Sequence, residues 1–178
     1  MNIFAVSRHP SRCARALDDG RLNKMILEAT QVLCTVFNLE ADTTGKSMVT
    51  PYRNSHVHNP ITKWTQSSKH HQAWLYALGI AYGEEIIYRF GRKHACQLVL
   101  EGLTFRYPHL LKYRELQIGE FHNGARHRKL GLDFTHLPAG KAYRAYLRRR
   151  WELQETTPTK SGRIIPPRWT RRKEPIWR

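Results

Sequence analysis

The chain has 178 residues, enough for one domain with its own buried core, and its 40% hydrophobic content is that of a folded protein. Thirty Lys and Arg against fourteen Asp and Glu give a formal net charge of +16, which points to a polyanionic partner: nucleic acid ahead of a membrane surface, because no lipidation motif accompanies the charge. No apolar run approaches the roughly 18 residues of a membrane span and the start lacks a signal-peptide core; the cysteines Cys13, Cys34 and Cys96 are scattered and odd in number, which argues against a disulfide framework and for a reducing, intracellular (cytoplasmic) location.

In chain order, residues 3–7 are a short apolar run, either a small strand or an extended segment. Ser7-Arg8-His9-Pro10 is a turn, and Pro10 opens a short helix over 11–17. Asp19 is the expected N-cap of the main helix, which covers 21–38. Leu22, Met25, Ile26, Ala29, Val32, Leu33, Val36 and Phe37 recur there at three- and four-residue steps and form one apolar face. Arg21, Lys24, Glu28 and Gln31 follow the same step on another face. A carboxylate one turn from Lys24 and two turns from Arg21 has two readings. Lys24–Glu28 is an ordinary surface pair worth about 0.3–0.5 kcal/mol, or Glu28 is an acid kept for chemistry on a polyanion.

Residues 45–58 are polar and irregular. Asn59-Pro60 reads as N-cap and first position of a helix or helix pair that ends near Phe90, ahead of Gly91. Trp64, Trp74 and Tyr82 share a side with Leu75 and Leu78, which favours the core over stacking platforms. A further helix over 93–100 precedes Gly102. The segment 104–138 has weak periodicity, and its length suits a functional or mobile stretch more than a passive connection. Helix returns over 141–154, with Tyr143, Tyr146, Leu147 and Trp151 turned inward and Arg144, Arg148, Arg149 and Arg150 largely outward. From Glu155 the chain is Pro/Arg/Trp-rich without period; Trp169 and Trp177 either stack on bases or pack back on the domain. Residues 141–178 hold twelve Lys/Arg against three Asp/Glu, so positive charge concentrates there. The expected organisation is a mainly α, compact domain over 1–154 followed by a basic irregular arm over 155–178.

Ten histidines invite a metal. His70-His71 point to different faces, however, and His56 and His58 lack a nearby Cys or carboxylate cluster. His122 and His127 with Asn123 only faintly resemble a histidine-based nuclease motif. With no CxxC or HExxH, no metal and no cofactor are expected. Neither a G-x-S-x-G turn nor a phosphate-binding loop is present.

One arrangement is more specific. An apolar start leads into Ser7-Arg8-His9-Pro10, then Leu17-Asp18-Asp19, then a helix carrying Glu28; farther on, His58-Asn59-Pro60 precedes a Trp/Leu helix that ends in Arg89-Phe90-Gly91. This resembles the pyrimidine-dimer DNA glycosylases, the small helical enzymes of the endonuclease V type. It is also similar to uncharacterised phage proteins with a D-x-x-x-x-K-M-I-L-E-x-x-Q core, matched by Asp19, Lys24-Met25-Ile26-Leu27-Glu28 and Gln31. The likeness covers roughly residues 1–95.

The resemblance implies an all-helical fold and a mechanism in which an amino-terminal α-amine attacks C1′ of a damaged nucleotide, the base leaves, and β-elimination follows. Glu28 occupies the position of the glutamate that assists ring opening and proton transfer. The family's nucleophile is a threonine amine, and this chain departs from that, because Met1 precedes Asn2. Candidate nucleophiles are therefore the α-amine of Met1 or of Asn2, expected close to Glu28, and the side chain of Lys24. An α-amine near pKa ~7.7–8.0 has a neutral fraction at pH 7 that a lysine near ~10.4 lacks. Arg8, Arg12, Arg15, Arg21, Arg89, Lys93, Arg148, Arg149 and Arg150 suit phosphate clamping. The expected function is a monomeric DNA N-glycosylase with lyase activity on a damaged or modified pyrimidine in double-stranded DNA. The alternatives are a non-catalytic DNA-binding protein on the same scaffold and a phage enzyme that modifies bases or nucleotides.

Overall fold

Helix starts in this chain are set by polar side chains that take up otherwise unpaired backbone N–H groups. Asp18 accepts from the Arg21 N–H at 3.2 Å and opens α2 (Asp19–Asp42). Asn59 accepts from Ile61 at 2.9 Å ahead of α3 (Pro60–Gln66), and Ser68 accepts from His70 at 3.1 Å ahead of α4 (Lys69–Phe90). The short α1 (Pro10–Ala16) begins on proline, α5 (Ala95–Arg106) follows His94, and α6 (Ala139–Thr156) follows Pro138. The computed structural model describes residues 2–43, 45 and 49–178, and the protein is mainly helical. Among those residues no helix is long and apolar enough to cross a membrane.

The differences from the sequence reading have local causes. The N-cap of α2 is Asp18 and not Asp19, because the Asp19 carboxylate is taken by Arg89 at 2.9 Å and by the Thr170 hydroxyl at 2.7 Å. Helix α2 runs one turn past Asn38. That residue is buried in the helix, where its side chain anchors the polar loop: it accepts from the Val49 N–H at 3.0 Å and donates to the Tyr52 carbonyl at 2.9 Å. The stretch from Pro60 to Phe90 is a pair, broken where Ser68 caps the second helix. Gly91, at φ 66, ends that helix in a left-handed turn.

α2 and α4 pack face to face around Leu22, Ile26, Leu33, Phe37, Leu75, Leu78 and Ile86. Trp74 and Tyr82 are fully buried and reach backbone partners, Arg8 O at 2.8 Å and Ile3 O at 3.2 Å; Trp64 lies half-buried, stacked on His71. The cysteines are buried and free. Residues 107–138 form short 3-10 turns and one antiparallel ladder, β1 (Arg126–His127) with β2 (Leu132–Asp133). This segment is tied down. Leu110, Leu116, Phe121 and Ala125 are buried in the core, and the Tyr143 hydroxyl donates to His122 O and accepts from the Gly124 N–H, each at 2.9 Å.

Residues 157–178 are a strap rather than a free arm. Trp169 packs edge-on against buried Trp151 at 5.0 Å, and Trp177 stacks on it at 5.5 Å. The Asp19 N–H donates to Arg168 O at 2.8 Å, and the Trp169 indole donates to Ala16 O at 3.1 Å. Both tryptophans therefore pack back on the domain.

Arg89 lies at the centre of the assembly, fully buried. Its guanidinium donates to Glu85 at 2.8 Å, Leu17 O at 2.8 Å, Asp19 at 2.9 Å and Arg15 O at 3.1 Å, so one α4 side chain fixes the α1–α2 junction. Glu85 also accepts two bonds from Arg172 of the strap, at 2.8 and 3.0 Å. Burial alone would raise the Glu85 carboxyl, but the bonds from Arg172 and Arg89 outweigh it and hold the pKa below the ordinary range. Arg89→Met should lower the unfolding free energy by about 3–5 kcal/mol, because it strands buried acceptors. The Glu85 contribution should be fully present above the usual glutamate pKa and be lost as pH falls through the depressed one. Urea unfolding across acidic pH checks both outcomes.

Candidate active site

The capped start of α2 presents Arg21, Lys24 and Glu28 along one side of the helix, each a turn from the next. Across from them the first residues of the chain come back onto the domain. Ile3 is buried. Phe4 is buried with its ring 6.0 Å from Tyr143 and 5.9 Å from Tyr146, and it takes a left-handed φ of 41. A bulky residue in that region is strained, and the packing of Ile3 and Phe4 holds it. The bend directs Asn2 into a cleft. Its side chain donates to Gly124 O at 3.0 Å, and its backbone nitrogen donates to Glu28 Oε2 at 3.0 Å. Lys24 Nζ stands 3.3 Å from the other carboxylate oxygen, Oε1. Glu28 thus bridges a backbone nitrogen at the chain start and a lysine. Its side chain is 14% exposed against 72% for Lys24.

The cleft has a volume of about 440 Å³ and is walled by α2, α6 and β1. Tyr146, Arg150 and Gln154 follow at four-residue steps on α6, and Arg126 and His127 come from the ladder. Most of its charges already have partners. Arg21 pairs with buried Asp18 at 2.5 Å and donates to Gln154 at 3.1 Å; Arg126 faces Asp133 at 3.3 Å; Arg150 donates to the Tyr146 hydroxyl at 3.1 Å. Nδ1 of His127 is buried and has no hydrogen-bond partner among the described residues. The cleft is therefore positive, lined on one side by an aromatic ring, and holds Glu28 against two nitrogens, while its other carboxylate, Asp18, is paired with Arg21.

Of the residues singled out from sequence, Asn2, Lys24, Glu28, Arg21 and Arg150 meet here, and Met1 lies outside the described residues. The other cations lie elsewhere. Arg89 is no phosphate ligand: it is buried and fully engaged in the α1–α2 junction, a correction to its placement on the DNA surface. Arg8 pairs with Glu115 at 2.9 Å and Lys93 with Glu101 at 2.8 Å. Arg12 and Arg15 line a separate groove with Trp177 and Lys173 of the strap. Arg148 donates to the Trp177 carbonyl at 3.2 Å, and Arg149 pairs with Glu152 at 2.9 Å.

Sequence reasoning missed Arg126 and Gln154; it named His127 only within a faint nuclease-like motif and Asp18 only within the family resemblance, and assigned neither to this site. The i, i+4, i+8 spacing of Tyr146, Arg150 and Gln154 is a readable signal. Nothing periodic marks 126–127, which only tertiary folding brings to α2. Among the described residues no three His, Cys, Asp or Glu side chains gather as a metal site. Burial holds the His122 imidazole below its ordinary pKa. Comparison with protein-family models, curated proteins and solved structures found no match to this chain.

If the cleft takes phosphates, Arg126→Gln or Arg150→Gln should each flatten the slope of log affinity against log salt by roughly 0.9 per lost contact. Arg89→Met should leave the slope unchanged. Anisotropy titrations on an unmodified duplex at several salt concentrations measure this, and equal slopes in all three proteins would remove phosphates from the cleft.

Proposed function

We propose that the protein is a DNA N-glycosylase with an associated lyase activity, acting on a damaged or modified pyrimidine in duplex DNA on a scaffold like that of the pyrimidine-dimer glycosylases. The observation that carries this reading is the approach of the Asn2 backbone nitrogen to Glu28 at 3.0 Å inside a basic cleft. If Met1 is removed, that nitrogen is the α-amine itself. If Met1 is retained, the amine lies one residue away, about 3.8 Å between Cα atoms.

In this mechanism the target nucleotide leaves the stack, at a cost of a few kcal/mol that is smallest at a damaged pair. The amine lone pair forms a bond to C1′ while the C1′–N bond breaks and its electron pair goes to the base. Glu28 stabilises the cationic sugar and takes the proton that the new ammonium loses; the nitrogen lone pair then forms the protonated imine as the C1′–O4′ bond breaks, and O4′ keeps that bond's electron pair and receives the proton from Glu28. Loss of a C2′ proton then expels the 3′ phosphate. The amine is preferred to Lys24, whose largely exposed side chain lacks the apolar enclosure that activates a lysine nucleophile. The charge of +16 supports duplex DNA as the polyanionic partner, and a monomer suffices for the mechanism.

Borohydride should capture a covalent protein–DNA adduct on lesion-containing duplexes. Glu28→Gln keeps an acceptor for Asn2 but removes the charge. Its stability should change by less than ~1 kcal/mol, with turnover falling roughly 10²–10⁴-fold and binding retained. A fully active Glu28→Gln protein, or failure to trap any lesion duplex, would overturn the reading and favour a protein that binds DNA without cleaving the glycosidic bond.

A further inference from the structure

The strap passes the end of the cleft before it reaches Trp151. Gln154, a cleft wall and partner of Arg21, donates to Ile165 O at 2.7 Å. Two residues before this bond and three after it the backbone is fixed again. The Thr159 N–H donates to Arg163 O at 2.8 Å across a turn in which Gly162 takes a φ of 76, and Arg168 O accepts from the first residue of α2 at 2.8 Å. Pro166-Pro167 stiffen the strand between these points. At its crest stand Ile164 and Ile165, 51% and 54% exposed. A single exposed isoleucine needs no explanation. Two in succession, β-branched and therefore rotationally stiff, on a backbone tied at three places, make a preformed apolar edge.

What surrounds that edge identifies its partner. Lys160, Arg163 and Arg168 are exposed on the same stretch. On the ladder, whose first strand forms another wall of the cleft, the turn after His127 exposes Arg128, Lys129 and Leu130. Among the described residues none of these five cations has a hydrogen-bonded or ion-paired side-chain partner, in contrast to Arg21 and Arg126 within the cleft. Apolar residues amid uncommitted cations, beside a pocket with room for one nucleoside, fit the grooves of a duplex: cations take phosphates, and apolar wedges part base steps.

We propose that Ile164 and Ile165 form a wedge that enters the base stack of duplex DNA at the mouth of the Glu28 cleft and fills the space a displaced nucleotide leaves. The inference rests on the proposed function only in placing duplex DNA across the cleft. It adds a residue pair that acts on the stack rather than on C1′.

The test is a titration of the full chain into a duplex that carries 2-aminopurine next to a mismatched thymine, with fluorescence for unstacking and anisotropy for binding. The parent protein should raise the fluorescence. Ile164→Ala/Ile165→Ala should lose that rise while binding within about threefold of the parent, since affinity comes from phosphates. Ile164→Leu/Ile165→Leu should keep it. Both side chains are half-exposed, and Ile164→Ala alone supplies the same comparison should the double variant unfold.

No rise with the parent, a rise undiminished in the alanine proteins, or parallel loss of binding and rise would overturn the wedge; undiminished rise would fit a pair that docks another protein instead. Fluorescence reports unstacking and borohydride trapping reports sugar chemistry. A protein that unstacks but is never trapped keeps the wedge and loses the glycosylase, and one that is trapped without the rise does the reverse.

Discussion

Arg89 puts a permanent positive charge where water does not reach, and several elements are arranged to answer it. Its donors take the carboxylates of Glu85 and Asp19 and the backbone carbonyls of Arg15 and Leu17, which leaves the turn between α1 and α2 one position relative to α4. The helix that carries Lys24 and Glu28 starts from that turn. Asp18 caps α2 beside it and pairs with Arg21, and Glu28 follows ten residues on. A buried ion network of this kind is weak support for stability as such, since an apolar cluster of the same volume does as well. What it supplies here is position: the polar face of α2 is held in a fixed rotation toward α6.

The strap uses the same network from outside. Arg172 completes the shell of Glu85, Thr170 that of Asp19, and Trp169 and Trp177 cover Trp151, whose indole donates to Asp18 at 2.8 Å. One contiguous set of contacts thus runs from the last residues of the chain to the cap of the helix that bears Glu28. Removal of the strap would uncover Trp151 and strip partners from two carboxylates, so its loss would affect folding as well as any DNA contact.

The helices were largely legible because their signals are local. Apolar steps marked α2 and α4, and Asn59-Pro60 marked the start of α3. Boundaries shifted where a side chain had a distant partner: Asp19 lost the cap to Asp18 because Arg89, seventy residues away, holds it. Glu28 and Lys24 were visible as a stripe, and the approach of Asn2 was expected through the family resemblance. Arg89 could not be told from a surface arginine by its neighbours, since burial depends on Glu85, Asp19 and the strap together. Arg126 and His127 lay in a segment without period, and only the tie of Tyr143 to His122 and Gly124 brings them to the cleft. Likewise Trp169 and Trp177 had two open readings until Trp151 was seen beneath them.

The proposed chemistry depends on one contact, a chain-start nitrogen held by Glu28, and on that nitrogen rather than Lys24 being the nucleophile. The most direct measurement is the identity of the residue that carries the sugar after borohydride reduction, read by protease digestion and mass spectrometry of the adduct on a lesion duplex. The account predicts the mass of the reduced sugar on the peptide that begins the chain, at the α-amine of Met1 or Asn2. An adduct on Lys24 or any other lysine would contradict it.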